Sequence, residues 1–205
     1  YYDAKCMIDR FEEGEPLGKV DDARDYARLA EVLSRVHQAS ANGFGRLCYS
    51  NQAEESSASD YYREGIKNAW SLIEDKNLLP AKEINFLKVA VRQQLKRMDL
   101  AEKVIGHGDV CRVNALYDSE TDKLSLIDWD NIGSYTREFD LAFLAHGSVS
   151  EKQRQVFLNN YKFTLDYEMI AFCSFLKVLN NFNPDHHGHY LQEAAEYYLQ
   201  CINYY

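Results

Sequence analysis

No stretch of this sequence stays apolar for the eighteen or so residues that a membrane-spanning helix needs, and no basic segment followed by an apolar one opens the chain. Neither a membrane span nor a secretory leader is expected. Cysteines are few and unordered. Cys6, Cys48, Cys111, Cys173 and Cys201 form no CxxC pair and are odd in number, which argues against a disulfide framework or a zinc site and for a reducing, cytosolic (cytoplasmic) compartment. Clustered positive charge is lacking too. Asp and Glu number 32 against 23 Lys and Arg, a net charge of -9 at pH 7, whereas binding a phosphate backbone requires grouped cations. Nucleic acid is therefore not an expected partner, and a cationic small molecule suits the balance better. Internal repeats and low-complexity tracts are also missing.

What is present is enough apolar residue, 46% of 205, to bury the core of one compact domain with at most a small appendage. The opening residues, "YYDAKCMIDRFEEGEPLG", read as a strand leading into a turn, without an initiator Met, as if the chain began mid-protein. Helical patterns then dominate. Over 21–41, Tyr26, Leu29, Ala30, Leu33 and Val36 fall on one face, with acids in the first turn, where the helix dipole favours them. Residues 43–59, rich in Gly, Ser, Asn and Glu, read as a long loop, and the glycines of "GFG" at 43–45 as its punctuation. Helices are expected over 60–76 and 80–103, with Pro80 as a first helical residue. At "VNALYD" and "KLSLIDWD" the period changes to that of strands, with "SETD" as a hairpin turn. After Gly133 the helical pattern returns, with Ser150 and Gln153 spaced as a capping box. The expected fold is thus mainly α, an α+β domain in which a small β-hairpin at about 104–130 stands as an island.

That hairpin joins two polar clusters. Its entry, "HGDVCRVN" (107–114), holds Asp109 and Asn114; its exit, "LSLIDWD" (124–130), holds Asp128. A hairpin brings its flanks together. One Asp and one Asn offering oxygens, with a second Asp free of the metal, is the set that Mg²⁺-assisted phosphoryl transfer requires. The ion takes few protein oxygens, and the other carboxylate orients the attacking hydroxyl and accepts its proton. Asp109 would also serve as a capping or turn Asp, Asn114 and Asp128 in Asx turns, and Asp130 as a surface acid.

"HGDVCRVN" with "LIDWD" resembles the catalytic set of the aminoglycoside phosphotransferase and choline kinase superfamily, small-molecule kinases of protein-kinase-like fold. A chance match to HGDxxxxN in a chain of this size is on the order of one in a thousand. "MIDRFEEGEPL" resembles that family's hinge, "LAEVLSRVHQ" the helix after it and "REFDLA" the Asp-bearing helix start beyond the metal strand. The resemblance implies a C-terminal lobe (21–205) preceded by a hinge strand and turn (1–20), with the N-terminal lobe absent from the chain. It implies Asp109 as catalytic base, Asn114 and Asp128 as Mg²⁺ ligands, and the hinge backbone at Asp9, Arg10 and Phe11 as the contact for an adenine, with ATP or GTP as the phosphoryl donor. It further implies His107 and Asp140 as supports of the loop, and Asp130 as an approach for a cationic acceptor. Gly108 replaces the Arg of the protein-kinase HRD motif, and no room for an activation loop exists between Asp128 and Asp140, so the acceptor is expected to be a small alcohol: an aminoglycoside, choline, ethanolamine or similar. A catalytically idle lobe acting as a binding module and a metal-dependent phosphohydrolase are the alternatives. Without the other lobe the chain is expected to be inactive alone and to self-associate through its exposed hinge. Histidines 186, 187 and 189 in "DHHGHY" read as loop residues rather than a metal cluster.

Overall fold

The computed structural model describes residues 12–17, 23–47, 52–145 and 149–202. Helix α1 (Ala23–Val36) buries Tyr26, Leu29, Ala30 and Leu33, which recur at the three-and-four spacing of one helical face. It ends earlier than its pattern suggests, and Val36 is only half-buried, while Asp25 and Ser34 are buried instead. Arg28 donates to Asp25 Oδ1 at 3.1 Å, and Ser34 Oγ accepts from the amide of Lys162, far along the chain, at 3.1 Å.

The stretch read as a long loop contains two short strands, β2 (Phe44–Leu47) and β3 (Ala53–Glu55), and the start of α2 (Ala58–Tyr61); α3 (Arg63–Asp75) follows within the expected helix over 60–76. Short length and glycine hid β2. Gly45 sits inside the strand at φ +103, with a register irregularity beside it, and a Cβ there would lie 2.5 Å from the Tyr61 ring. Helix α4 (Ala81–Leu100) follows, with Pro80 one position before the helix as its N-cap, and it stops at Leu100 because Ala101 is extended. Next comes β4 (Val104–Gly106), then the hairpin strands β5 (Ala115–Asp118) and β6 (Lys123–Leu126), then β7 (Gly133–Tyr135) where helix was expected. The remaining elements are α5 (Arg137–Asp140), α6 (Glu151–Asn160), α7 (Tyr167–Asn180) and α8 (Pro184–Cys201). The Ser150–Gln153 capping box is formed in both directions at the start of α6.

The fold is mainly helical with small antiparallel sheets. The hairpin is not an island: β1 (Glu15–Pro16) adds to it in the order β1-β5-β6, and a second sheet runs β3-β2-β7-β4. The histidines of "DHHGHY" lie within α8, not in a loop; His189 pairs with Glu193 one turn on, at 3.1 Å, and the side chains of His186 and His187 lie outside the described set. Two apolar cores result. One joins α3, α4, α7 and α8 with Phe44, and the other joins α1, α6 and the hairpin around Phe157. Helix α7 contributes to both, and this explains why it is apolar nearly all round.

Candidate active site

Between β4 and β5 the chain runs through residues 107–114, and its path is dictated from below by Asp140. That carboxylate is fully buried. Its Oδ2 accepts from the His107 amide at 2.7 Å and from His37 Nε2 at 3.0 Å, and its Oδ1 accepts from the Gly108 amide at 2.7 Å. Burial alone would raise its pKa, but the His37 hydrogen bond and the neighbouring positive charge of Lys177 outweigh it and hold the carboxyl below the ordinary range. On the far side of His37, Nδ1 meets the Tyr161 hydroxyl at 2.6 Å; burial pushes that phenol up, so it stays protonated and can donate.

Gly108 takes φ +86, and a Cβ there would lie 2.2 Å from the Asn131 carbonyl oxygen. The position that carries Arg in protein kinases therefore has no space for any side chain in this loop. His107 is buried against Trp129, with ring centroids 4.6 Å apart. Its Nε2 donates to the Ile127 carbonyl at 2.8 Å, and its Nδ1 accepts from the Asp109 amide at 3.3 Å, a pair of contacts that fixes the Nε2–H tautomer.

The 3₁₀ turn Arg112–Asn114 delivers Asn114 to the start of β5. Its Nδ2 donates to the Asp109 carbonyl at 3.0 Å and to the Asp109 carboxylate at 3.4 Å, which leaves the amide oxygen free for another partner. The Ile127 amide donates to the Asn114 carbonyl at 2.9 Å, so Asp128 follows directly on a residue bonded to Asn114. Asp128 is exposed, adopts a left-handed backbone at φ 62 and ψ 61, and makes no side-chain hydrogen bond to any described residue. An Asp held at positive φ without a local partner is strain with no structural return. One amide oxygen and one carboxylate at the same hairpin end are hard oxygen donors of the kind that suits Mg²⁺, which keeps several waters and phosphate oxygens of its own. Among the described residues, no group of three or more His, Cys, Asp or Glu forms a metal cage.

Asp109 faces a cavity of about 360 Å³ with mostly apolar walls, in the size range of small-molecule sites. Lys177 of α7 also lines the cavity and interrupts the apolar run "MIAFCSFLKVL". Its Nζ donates to the Gly108 carbonyl at 3.1 Å and lies 4.3 Å from the centre of the Phe139 ring. Burial pushes the Lys177 ammonium down, against the pull of Asp140 and Asp109. Sequence reasoning missed both Lys177 and His37. A lone Lys inside an apolar helix was the available signal for the first; His37 sat unremarked in "LAEVLSRVHQ". Asp130 is exposed and does not line the cavity. Asp9, Arg10 and Phe11 lie outside the described residues.

A sequence profile of the phosphotransferase enzyme family matches residues 5–173. Among solved structures, choline kinase LicA from Streptococcus pneumoniae superposes with a TM-score of 0.62 at 21% identity, over 92% of this chain and 68% of that one. An aminoglycoside phosphotransferase from Streptomyces rimosus, in complex with ADP and streptomycin, gives 0.60 at 20%, over 82% and 67%. Ethanolamine kinase from Plasmodium vivax gives 0.54 at 18%, over 93% and 63%. At these identities the likeness is one of fold. No curated protein matches the sequence significantly. No described helix is long and apolar enough to cross a membrane.

Proposed function

Because the chain belongs to the phosphotransferase enzyme family, we propose that it moves the γ-phosphoryl group of ATP or GTP to a hydroxyl of a small molecule held in the cavity beside Asp109. The observation that carries this reading is the placement of Asp109: its carboxylate opens onto an apolar-walled cavity while Asn114 fixes its backbone and one of its oxygens from behind. In the transfer, a bond forms between the acceptor oxygen and the γ-phosphorus, the bond from that phosphorus to the bridging oxygen breaks, and the nucleoside diphosphate leaves with the electron pair. The hydroxyl proton passes to the Asp109 carboxylate. Asn114, through its free amide oxygen, and Asp128 would hold Mg²⁺. When bound, the ion neutralises charge on the phosphates. Asp140 and His107 support the loop that carries Asp109, by the hydrogen bonds given above.

Asp109→Asn keeps the size of the side chain and removes the proton acceptor. In the full-length protein, transfer of labelled γ-phosphate is expected to fall about 10²–10⁴-fold while nucleotide affinity stays within about threefold. Near-normal turnover by this variant would remove Asp109 from the role of base. Nucleotide hydrolysis that is indifferent to every acceptor offered would make the protein a phosphohydrolase instead.

A further inference from the structure

Three charged side chains line the cavity: Asp109, Arg112 and Lys177. The first is assigned to the reacting hydroxyl. What remains on the described wall is two cations and no second acid. The rest of the lining is mostly apolar, including Val110, Val113, Phe143 and Val178; Lys177 already feels Asp140 and Asp109, whereas no ion pair joins Arg112 to a described acid. Both have donors to spare. Lys177 uses one N–H on the Gly108 carbonyl, and Arg112 uses Nε on the Leu17 carbonyl at 3.3 Å, with no further hydrogen bond to a described residue. Acids that would welcome a cationic acceptor lie elsewhere: Asp130 is exposed outside the cavity, and Glu193 and Glu196 are exposed on α8, the first of them paired with His189. The net charge of -9 belongs to the chain as a whole and not to this cavity.

We propose that the acceptor is an alcohol with a short apolar body and a carboxylate or similar oxyanion, received by Lys177 and Arg112 while its hydroxyl meets Asp109. This rests on the phosphotransferase reading and narrows its substrate class. With the Asp109 carboxylate counted, the lining carries two cations against one acid, so an anionic group brings the cavity to balance, whereas an amino alcohol or amino sugar adds to the excess of positive charge. Arg offers a planar fork that matches a carboxylate, and Lys a point charge lining the same cavity.

A matched series separates the two ideas: 6-hydroxyhexanoate, 1,6-hexanediol and 6-amino-1-hexanol share one six-carbon body and differ only in terminal charge. With the full-length protein and labelled nucleotide, the hydroxy acid is expected to give at least a tenfold higher kcat/KM than the amino alcohol, chiefly through KM. Lys177→Gln is expected to raise KM for the hydroxy acid at least tenfold and to change KM for the diol less than threefold. Loss of kcat on both acceptors alike would reduce Lys177 to a structural prop, and preference for the amino alcohol would overturn the proposal outright. Arg112→Gln provides the same readout if Lys177→Gln does not fold. Should none of the three accept phosphate, calorimetric titration with hexanoate and hexylammonium tests the cavity without turnover. Hexanoate binding that Arg112→Gln weakens supports the anion site even if the phosphotransferase reading fails, and equal or reversed binding rejects it.

Discussion

Asp140 and Asp128 lie within one short stretch of chain, and their surroundings could hardly differ more. Asp140 is fully buried, with both oxygens hydrogen-bonded to two backbone amides and a histidine. Asp128 is exposed, strained into a left-handed backbone, and without a hydrogen-bond partner among the described residues. The difference separates two ways in which a carboxylate serves a site. The buried one has both oxygens engaged by the protein and is shut away from solvent, so it determines shape and is closed to a ligand. The exposed one leaves its oxygens free, which the fold does not need and a metal would. Removing the first should damage the scaffold, and removing the second only the chemistry.

The contrast is tested most severely at Asp140. Asp140→Ala strands the His107 and Gly108 amides and the His37 ring in a dry interior, and should cost about 3–5 kcal/mol of stability by denaturant unfolding. A loss below about 1 kcal/mol would mean that water or another group takes over the contacts, and the two carboxylates would then be less different than they look. Acid unfolding provides a milder version. The pKa of Asp140 is lower in the folded protein than in the unfolded chain, so the unfolded state binds more protons between the two values. The stabilisation should therefore be fully present above about pH 4 and fall away as pH drops through the lowered value. Asp140→Asn should flatten that part of the stability-against-pH curve, and a curve as steep as the parent's would assign the acid sensitivity to other carboxylates. The smallest effect is expected at Asp128. Asp128→Gly relieves the positive φ and should raise stability slightly, by about 0.5–1 kcal/mol, while phosphoryl transfer is lost. If this variant unfolds more easily than the parent, Asp128 has a structural partner after all.

Much of the fold was legible because it is written locally. The capping box at Ser150, the amphipathic face of α1, and the turn between β5 and β6 all depend on residues a few positions apart. The second sheet was not, because its strands run to only three or four residues and Gly45 and Gly133 break any alternation of side chains. At the candidate site, "HGDVCRVN" and "IDWD" announce themselves by spacing. The contacts of His37 with Asp140 and of Lys177 with Gly108 join residues 103 and 69 positions apart and follow from how α1 and α7 pack, which no local pattern encodes.

Ile127 gives its amide to Asn114 and its carbonyl to His107, so one peptide unit on either side of a single residue ties the hairpin exit to both ends of the loop. These ties are made by main-chain atoms and are indifferent to the side chain at that position, proline excepted. The wiring between loop and hairpin is thus largely insulated from mutational drift at the residue that carries it. Lineages are free to retune the apolar packing under the hairpin, and to explore new acceptors on the cavity side, without re-evolving the alignment of Asn114 with Asp128.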